Sequence, residues 1–239
     1  MSKIRKIIRK AKKAIAKSNK AFAEMTCDVV VLFDSDAYPT TPYVDAVRKA
    51  FTDRPDLGLV AFATIGKNGQ PTQSWCPEPD ALTLILGLKL SDHIPRLSRE
   101  YRESVSVYTC AMAIRRSVFE EVGGFDEKFD WTDLDHDLSM NVARSNWKVD
   151  VLPEVVAFHE GSGTPQGVNA RLLRFHKNRW YLLTKHGRIK SRAMTRALVL
   201  ARLRLELFGI YVGIWNSALR REKAKGRRDL IAYCQETYQ

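Results

Sequence analysis

The chain is poor in cysteine, with four among 239 residues: Cys27, Cys76, Cys110 and Cys234. None stand at Cys-x-x-Cys spacing, so zinc ribbons and dithiol redox motifs have no support. Reduced thiols in a cytosolic protein are the plain reading. Long apolar runs are missing as well. No stretch of roughly 18 uninterrupted apolar residues exists, and no membrane-spanning helix is expected. The start, Met-Ser-Lys-Ile-Arg-Lys, is basic but lacks the apolar core of an export signal. Internal repeats and low-complexity tracts are absent. What remains is a chain with 45% hydrophobic content, enough for one sizeable core and an appended helical region.

Charge is abundant but unevenly placed. The net charge is +12. Residues 1–24 carry a net of +8, and residues 171–239 carry 17 basic and 4 acidic side chains, a net of +13. The middle, 25–170, has a net of −9. A nucleic-acid binder spreads basic charge over the face that grips phosphate, and this distribution does not fit one, so no nucleic-acid partner is expected. Basic ends suit an anionic membrane surface. An acidic centre suits a metal ion. The expected location is cytoplasmic, with peripheral contact at the inner face of a membrane.

Hydrophobic periodicity outlines the elements. Residues 3–24 form an amphipathic helix whose stripe includes Ile4, Ile7, Ile8, Ala11, Ile15 and Phe22, suited to solvent or to a membrane face. Val29 to Phe33 is a continuous apolar run that fits a fully buried parallel strand. A helix follows from near Pro42 to Phe51, then a strand from Leu57 to Thr64. Residues 66–80 have loop composition, and residues 81–104 are ambiguous. Val105 to Ile114 fits one strand. A short helix starts at Ser117 with capping-box form and ends at Gly123-Gly124. Asp135 to Asn146 and residues 167–185 are helical, and Lys148 to Phe158 is extended with a break at Pro153. A long helix carries Met194, Leu198, Ala201, Leu205, Phe208, Val212, Trp215 and Leu219 at steps of four and three. That stripe suits a membrane surface or packing under another domain.

Three groups of residues carry chemistry. Asp34-Ser35-Asp36 follows the first strand, where ligands of open α/β sheets sit. Two carboxylates one residue apart on a turn can approach one divalent cation. Asp133, Asp135 and Asp137 alternate at a helix start beside Trp131 and His136, favoured by the positive end of the helix dipole. His159 ends the Val155-to-Phe158 strand and precedes the flexible run Glu160-Gly161-Ser162-Gly163-Thr164, a loop able to close over a substrate.

In this order the motifs resemble family 2 glycosyltransferases of the GT-A fold, in the rhamnosyltransferase-like branch. In that family a buried strand ends in Asp-x-Asp or Asn-Ser-Asp. An Arg-Arg-x-x-Phe-x-x-x-Gly-Gly-Phe-Asp-Glu stretch follows, matched here from Arg115 to Glu127. The later pieces are Leu134-Asp135-His136-Asp137-Leu138, Asn146-Trp147, Phe158-His159 and His176-Lys177-Asn178-Arg179-Trp180. The resemblance covers roughly residues 14–185. Leu134 stands where the family has an acidic residue, and Thr109 where it has a glycine.

The resemblance implies an α/β fold: a truncated GT-A (Rossmann-like) mixed sheet flanked by helices, with a C-terminal amphipathic helical extension. Residues 1–185 would form the glycosyltransferase domain and 186–239 a basic helical tail. The implied reaction moves a sugar from a nucleotide-sugar donor to a hydroxyl of a glycan, lipid-linked or protein acceptor. Asp135 would be the catalytic base. Asp36 and His159 would hold Mg²⁺ or Mn²⁺. Asp34 and Ser35 would contact the nucleotide sugar, with Asp34 able to reach the metal instead. Trp131 and Asp133 would contact the acceptor. The family's N-terminal strand-helix-strand region, which supplies most of the nucleobase pocket, has no counterpart before Ala14. The comparison therefore allows three expectations: an active transferase with a reduced donor pocket, one half of a split enzyme needing a separate N-terminal polypeptide, or an inactive binding or assembly subunit.

Overall fold

A computed structural model describes residues 2–91, 105–130, 132–161 and 167–238, with side chains from residue 13 onward except those of 88 and 89. The chain divides into two compact units, Met1–Glu78 with Arg96–Thr164, and Pro79–Pro95 with Pro165–Gln239.

The first unit opens with helix α1 (Ser2–Glu24) and strands β1 (Val29–Phe33) and β2 (Ala37–Pro39). Helix α2 (Val44–Asp53) and strand β3 (Leu57–Ile65) follow. The loop-like stretch at 66–80 contains two short strands, β4 (Pro71–Thr72) and β5 (Trp75–Pro77). The single strand expected from Val105 to Ile114 is divided. β6 (Val105–Val107) pairs with β5, while β7 (Ala111–Arg115) joins the main sheet. Helices α3 (Ala81–Ile85) and α4 (Leu88–Ser91) belong to the other unit, and the first unit continues with α5 (Arg116–Glu121), α6 (Leu134–Arg144) and β8 (Lys148–His159). The capping-box reading at Ser117 does not hold. Arg115 occupies the cap position of α5, without a side-chain cap bond. The helix does end at Gly123 and Gly124, whose φ values of 80° and 68° are open to glycine.

The main sheet runs β1-β7-β3-β8-β2, with β4 beside β3. β3 and β8 are parallel, and the other pairings are antiparallel. Successive side chains of a strand face opposite sides, and each side has its own core. Val30, Leu59, Ala61, Met112 and Ile114 pack with α1, α5 and α6 through Ile15, Phe22, Phe119 and Leu138. Val60, Phe62, Ala111 and Ala113 pack with α2 through Val47 and Phe51. The stripe of α1 from Ile15 to Phe22 therefore faces this core, neither solvent nor a membrane: the two are 3% and 2% exposed. The break expected at Pro153 is a register shift, with Phe62 opposite Leu152 and Ala63 opposite Val156.

The second unit packs α3 with α7 (Val168–Lys185), α8 (Arg192–Gly213) and α9 (Ser217–Thr237). Leu84, Trp180, Leu183, Leu203, Leu230 and Tyr238 form its core. The stripe read as one helix through Leu219 belongs to two. Ile214 is extended, and the Asn216 side chain accepts from the amides of Ala218 and Leu219 to start α9. The apolar period continues through the break, so periodicity alone cannot show it.

Candidate active site

The carboxyl ends of β1 and β8 carry the acidic turn and the histidine. The Asp34 amide donates to the Cys110 carbonyl at 3.0 Å, and the Asp34 carbonyl accepts from Ala37 at 3.0 Å. These bonds close a tight turn. β2 then sets Ala37 opposite His159, and the Glu160 amide donates to the Asp36 carbonyl at 3.1 Å. Residues more than a hundred positions apart are thus fixed by backbone pairing. His159 Nε2 lies 3.6 Å from Asp36 Oδ1. One ligand atom each from Asp34, Asp36 and His159 lies within 4.8 Å of the other two. Ser35 sits exposed at the tip of the turn.

Electrostatics agrees with this crowding. The Asp34 carboxyl is pushed above its ordinary range, first by desolvation and then by the charge of Asp36, with His159 opposing. The set fits a hard divalent cation. It offers two carboxylates and one imidazole, and positive charge there would relieve the repulsion between the acids.

A cavity of about 350 Å³ opens beside the turn. Asp34, Asp135 and His159 line it, together with Gln73, Tyr108, Thr109 and Cys110 and, from α1, Ala14, Ile15 and Ser18. The buried Cys110 thiol senses both acids. Burial raises its pKa most, and the charges of Asp34 and Asp135 add to that, taking it to about 12. Cys110 is therefore a neutral part of the wall.

The alternating acids divide by helix geometry. At 100° per residue, helical positions two apart point to opposite sides, which separates Asp135 from Asp137. Asp135, in the first turn of α6, faces the cavity. Asp133 and Asp137 are buried, at 5% and 0% exposure. Asp133 adopts a left-handed φ of 65°, and its Oδ1 lies 4.0 Å from His136 Nε2. His136 Nδ1 is 2.6 Å from Ser106 Oγ. The structure thus gathers Asp34, Asp36 and His159 at the strand ends and sets Asp135 with Asp34 and His159 in the cavity wall, while Asp133, at the cap of α6, is buried outside that wall. Trp131 lies outside the described residues. Sequence reasoning missed Gln73, Tyr108 and Cys110 as wall residues. Tyr108 and Cys110 lie at the break between β6 and β7, and Gln73 lies between β4 and β5.

The family model of glycosyl transferase family 21 matches residues 12–217. A mixed sheet with a carboxylate and imidazole site at its strand ends, in a chain matched over that span, defines the class: the chain belongs to glycosyl transferase family 21. The motif order resembles family 2, and the family model that matches is that of family 21. Among curated proteins, none matches. Solved structures similar to the chain include the mannosyltransferase PcManGT from Pyrobaculum calidifontis, in complex with GDP-Man and Mn²⁺. It is 16% identical with a TM-score of 0.46, over 91% of this chain and 64% of that one. S. aureus TarS is 15% identical with a TM-score of 0.43, over 77% of this chain and 29% of that one. TarS residues 1–349 give 14% and 0.43, over 89% and 59%. The chain thus spans less than two thirds of each of these proteins.

Proposed function

We propose that this chain transfers a sugar from a nucleotide-sugar donor to an acceptor hydroxyl by a single inverting displacement. The observation that carries the reading is the cavity lined by Asp34, His159 and Asp135, whose first two residues also group with Asp36. Asp36 and His159 hold Mg²⁺ or Mn²⁺, and Asp34 and Ser35 face the donor, with Asp34 close enough to join the metal set. A cation bound there neutralises charge on the departing nucleoside diphosphate. Asp135 takes the proton of the acceptor hydroxyl onto its carboxylate as the new bond forms. Trp131, just before α6, contacts the acceptor in this reading, and the buried Asp133, outside the cavity wall, does not. Family membership supports the reaction class.

The reading extends to location. α8 presents an exposed apolar stripe in a strongly basic region, which supports work on a glycan or lipid-linked acceptor at an anionic membrane surface.

Calorimetric titration with Mn²⁺ and a screen of UDP-, GDP- and dTDP-sugars test the site. Asp36→Ala is expected to lose Mn²⁺ binding. Asp135→Asn is expected to keep Mn²⁺ binding and lose roughly 10²- to 10⁴-fold in turnover. Unchanged Mn²⁺ affinity in Asp36→Ala, or full turnover in Asp135→Asn, sinks the assignment. Mn²⁺ binding without turnover on any donor favours a binding or assembly subunit.

A further inference from the structure

Asp135 sits on a helix turn that lacks a side-chain cap. An α-helix starts with amides that have no partner inside the helix, and a capping side chain ordinarily takes one of them. In α6 the cap position is Asp133, whose φ of 65° is left-handed and whose side chain makes no cap bond. The Asp137 amide donates to the Asp133 carbonyl at 3.0 Å, which begins the helical ladder. One of the earlier amides goes to the acid itself: His136 donates its amide to Asp135 Oδ1 at 3.0 Å. The aim of the Asp135 carboxylate is therefore tied to the backbone of His136.

That backbone is held from β6. Ser106 Oγ lies 2.6 Å from His136 Nδ1. The other ring nitrogen, Nε2, is on the side of Asp133, 4.0 Å from its Oδ1. A proton on Nε2 faces that carboxylate and leaves Nδ1 to accept from the Ser106 hydroxyl. One turn further on, Ser139 donates its hydroxyl to the Asp135 carbonyl at 2.9 Å and accepts from the Val107 amide at 3.0 Å. Ser106, His136 and Ser139 are all buried, and buried polar atoms lose much when such a bond is removed, because no water replaces it. β6 is itself fixed. Ser106 stands opposite Cys76 of β5, and the Tyr108 amide donates to the Ser74 carbonyl at 2.8 Å. The Tyr108 ring meets the His136 ring edge-on at 5.6 Å and lines the cavity together with Asp135.

A buried histidine bonded to a serine is commonly no more than a core residue. Here both links from β6 converge on one residue, reaching the Asp135 carboxylate through the His136 amide and the Asp135 carbonyl through Ser139. We infer that Ser106, His136 and Ser139 are positioning residues that aim the Asp135 carboxylate into the cavity. The inference rests on the reading of Asp135 as the base. A carboxylate already bonded to a fixed amide meets the acceptor proton without first giving up rotational freedom.

Steady-state kinetics on the full chain test this, with Mn²⁺ and the nucleotide sugar that the donor screen selects. Ser106→Ala and His136→Leu should each lower kcat about 10- to 100-fold, with donor KM and Mn²⁺ affinity kept. His136→Asn, which returns a polar group near the place of Nδ1, should recover most of the loss. Ser106→Ala carries the test alone if His136→Leu does not fold. In an Asp135→Asn background the same changes should cost nothing further, because they act through the carboxylate. Full kcat in the single variants, or an undiminished further loss in the Asp135→Asn background, overturns the inference and leaves Asp135 as base. Full turnover in Asp135→Asn removes the base and the inference with it. The Cys110 thiol gives a second reading that needs no donor. It lines the same cavity, and burial, then the charges of Asp34 and Asp135, hold its pKa up. With Cys27→Ser and Cys76→Ser in place, iodoacetamide should alkylate Cys110 at least about twofold faster when Ser106→Ala is added. With Asp135→Asn also present, Ser106→Ala should bring no acceleration. An equal rate in the first pair, or an acceleration that persists with Asp135→Asn and so reports loosened packing alone, overturns the inference.

Discussion

His176 shows how one buried side chain makes stability depend on pH. It is fully buried in the second unit. Tyr238 donates its hydroxyl to the His176 carbonyl at 2.9 Å, and His176 Nδ1 is 3.0 Å from the same hydroxyl. Arg202 Nη2 lies 3.2 Å from Nε2. These bonds are mutually consistent for a neutral ring that donates from Nδ1 and accepts at Nε2. Burial holds the pKa down most, and the charges of Arg202 and Arg227 add to that, from the ordinary 6.5 to about 3. The unfolded chain takes up a proton below pH 6.5, and the folded one does so only near 3. The stabilisation is therefore complete above pH 6.5 and is lost as pH falls toward 3, at up to about 1.4 kcal/mol per pH unit. His176→Asn is expected to be less stable at pH 7 and to show a shallower decline across that window. Urea unfolding at a series of pH values measures the slope, and a slope equal to wild type removes His176 as its source. Sequence reading had placed His176 only within a motif. Its role depends on Tyr238 and Arg202, which reach it from other helices and leave no local signal. Asp34, Asp36 and His159 were legible because strand ends are recognisable and acids there are conspicuous. The burial of Asp133 was not, since its left-handed backbone has no counterpart in the alternation of acids.

Helix α1 joins the core of the first unit to the wall of the cavity. Its charged face and apolar stripe fit solvent, membrane or core equally well until a partner face is known. The partner is the side of the sheet that carries Val30, Met112 and Ile114. Phe22 stacks on Phe119 with centroids 3.8 Å apart and meets the edge of Phe125 at 6.2 Å. Asn19 fixes the register, donating to the Phe125 carbonyl and accepting from its amide, both at 2.9 Å. The same helix supplies Ala14, Ile15 and Ser18 to the cavity wall. Phe22→Ala is expected to cost roughly 3–5 kcal/mol, as removal of a buried aromatic ring usually does. Denaturant unfolding reads this directly, and a loss under about 1 kcal/mol would show that the α1 contact contributes little. The strands β3 and β8 and the helices α2, α6 and α7 were legible within a few residues, because their period is set locally. The division between β6 and β7 was not, because an apolar run does not reveal that its two ends belong to different sheets.

At the scale of the whole molecule the uneven charge and the exposed apolar surface coincide. No described helix is long and apolar enough to cross a membrane. Yet α8 leaves Met194, Leu205, Phe208 and Val212 between 60% and 71% exposed, and Trp215, just beyond its end, is 94% exposed. Met194 and Val212 are 18 residues apart, so the stripe is roughly 27 Å long at 1.5 Å per residue. The opposite side of α8 is occupied, since Val199, Leu200 and Leu203 belong to the core of the second unit. The stripe is therefore surplus to folding. Arg204 on α8 and Arg221, Lys223, Lys225 and Arg228 on α9 are exposed as well, within a region of net charge +13. The proposed membrane-proximal reading assigns this stripe to an anionic surface, where each basic side chain near the headgroups contributes about 1 kcal/mol. Co-sedimentation with vesicles of phosphatidylglycerol and phosphatidylcholine is expected to pull the chain down. Pure phosphatidylcholine, or high salt, should release most of it. Leu205→Asp with Phe208→Asp should weaken binding at least about tenfold, since apolar burial and charge act together in such helices. The helical content of that variant should be unchanged, because neither side chain contributes to the core. Wild-type binding by the double variant, or equal binding to neutral vesicles, would remove α8 as the membrane-facing element.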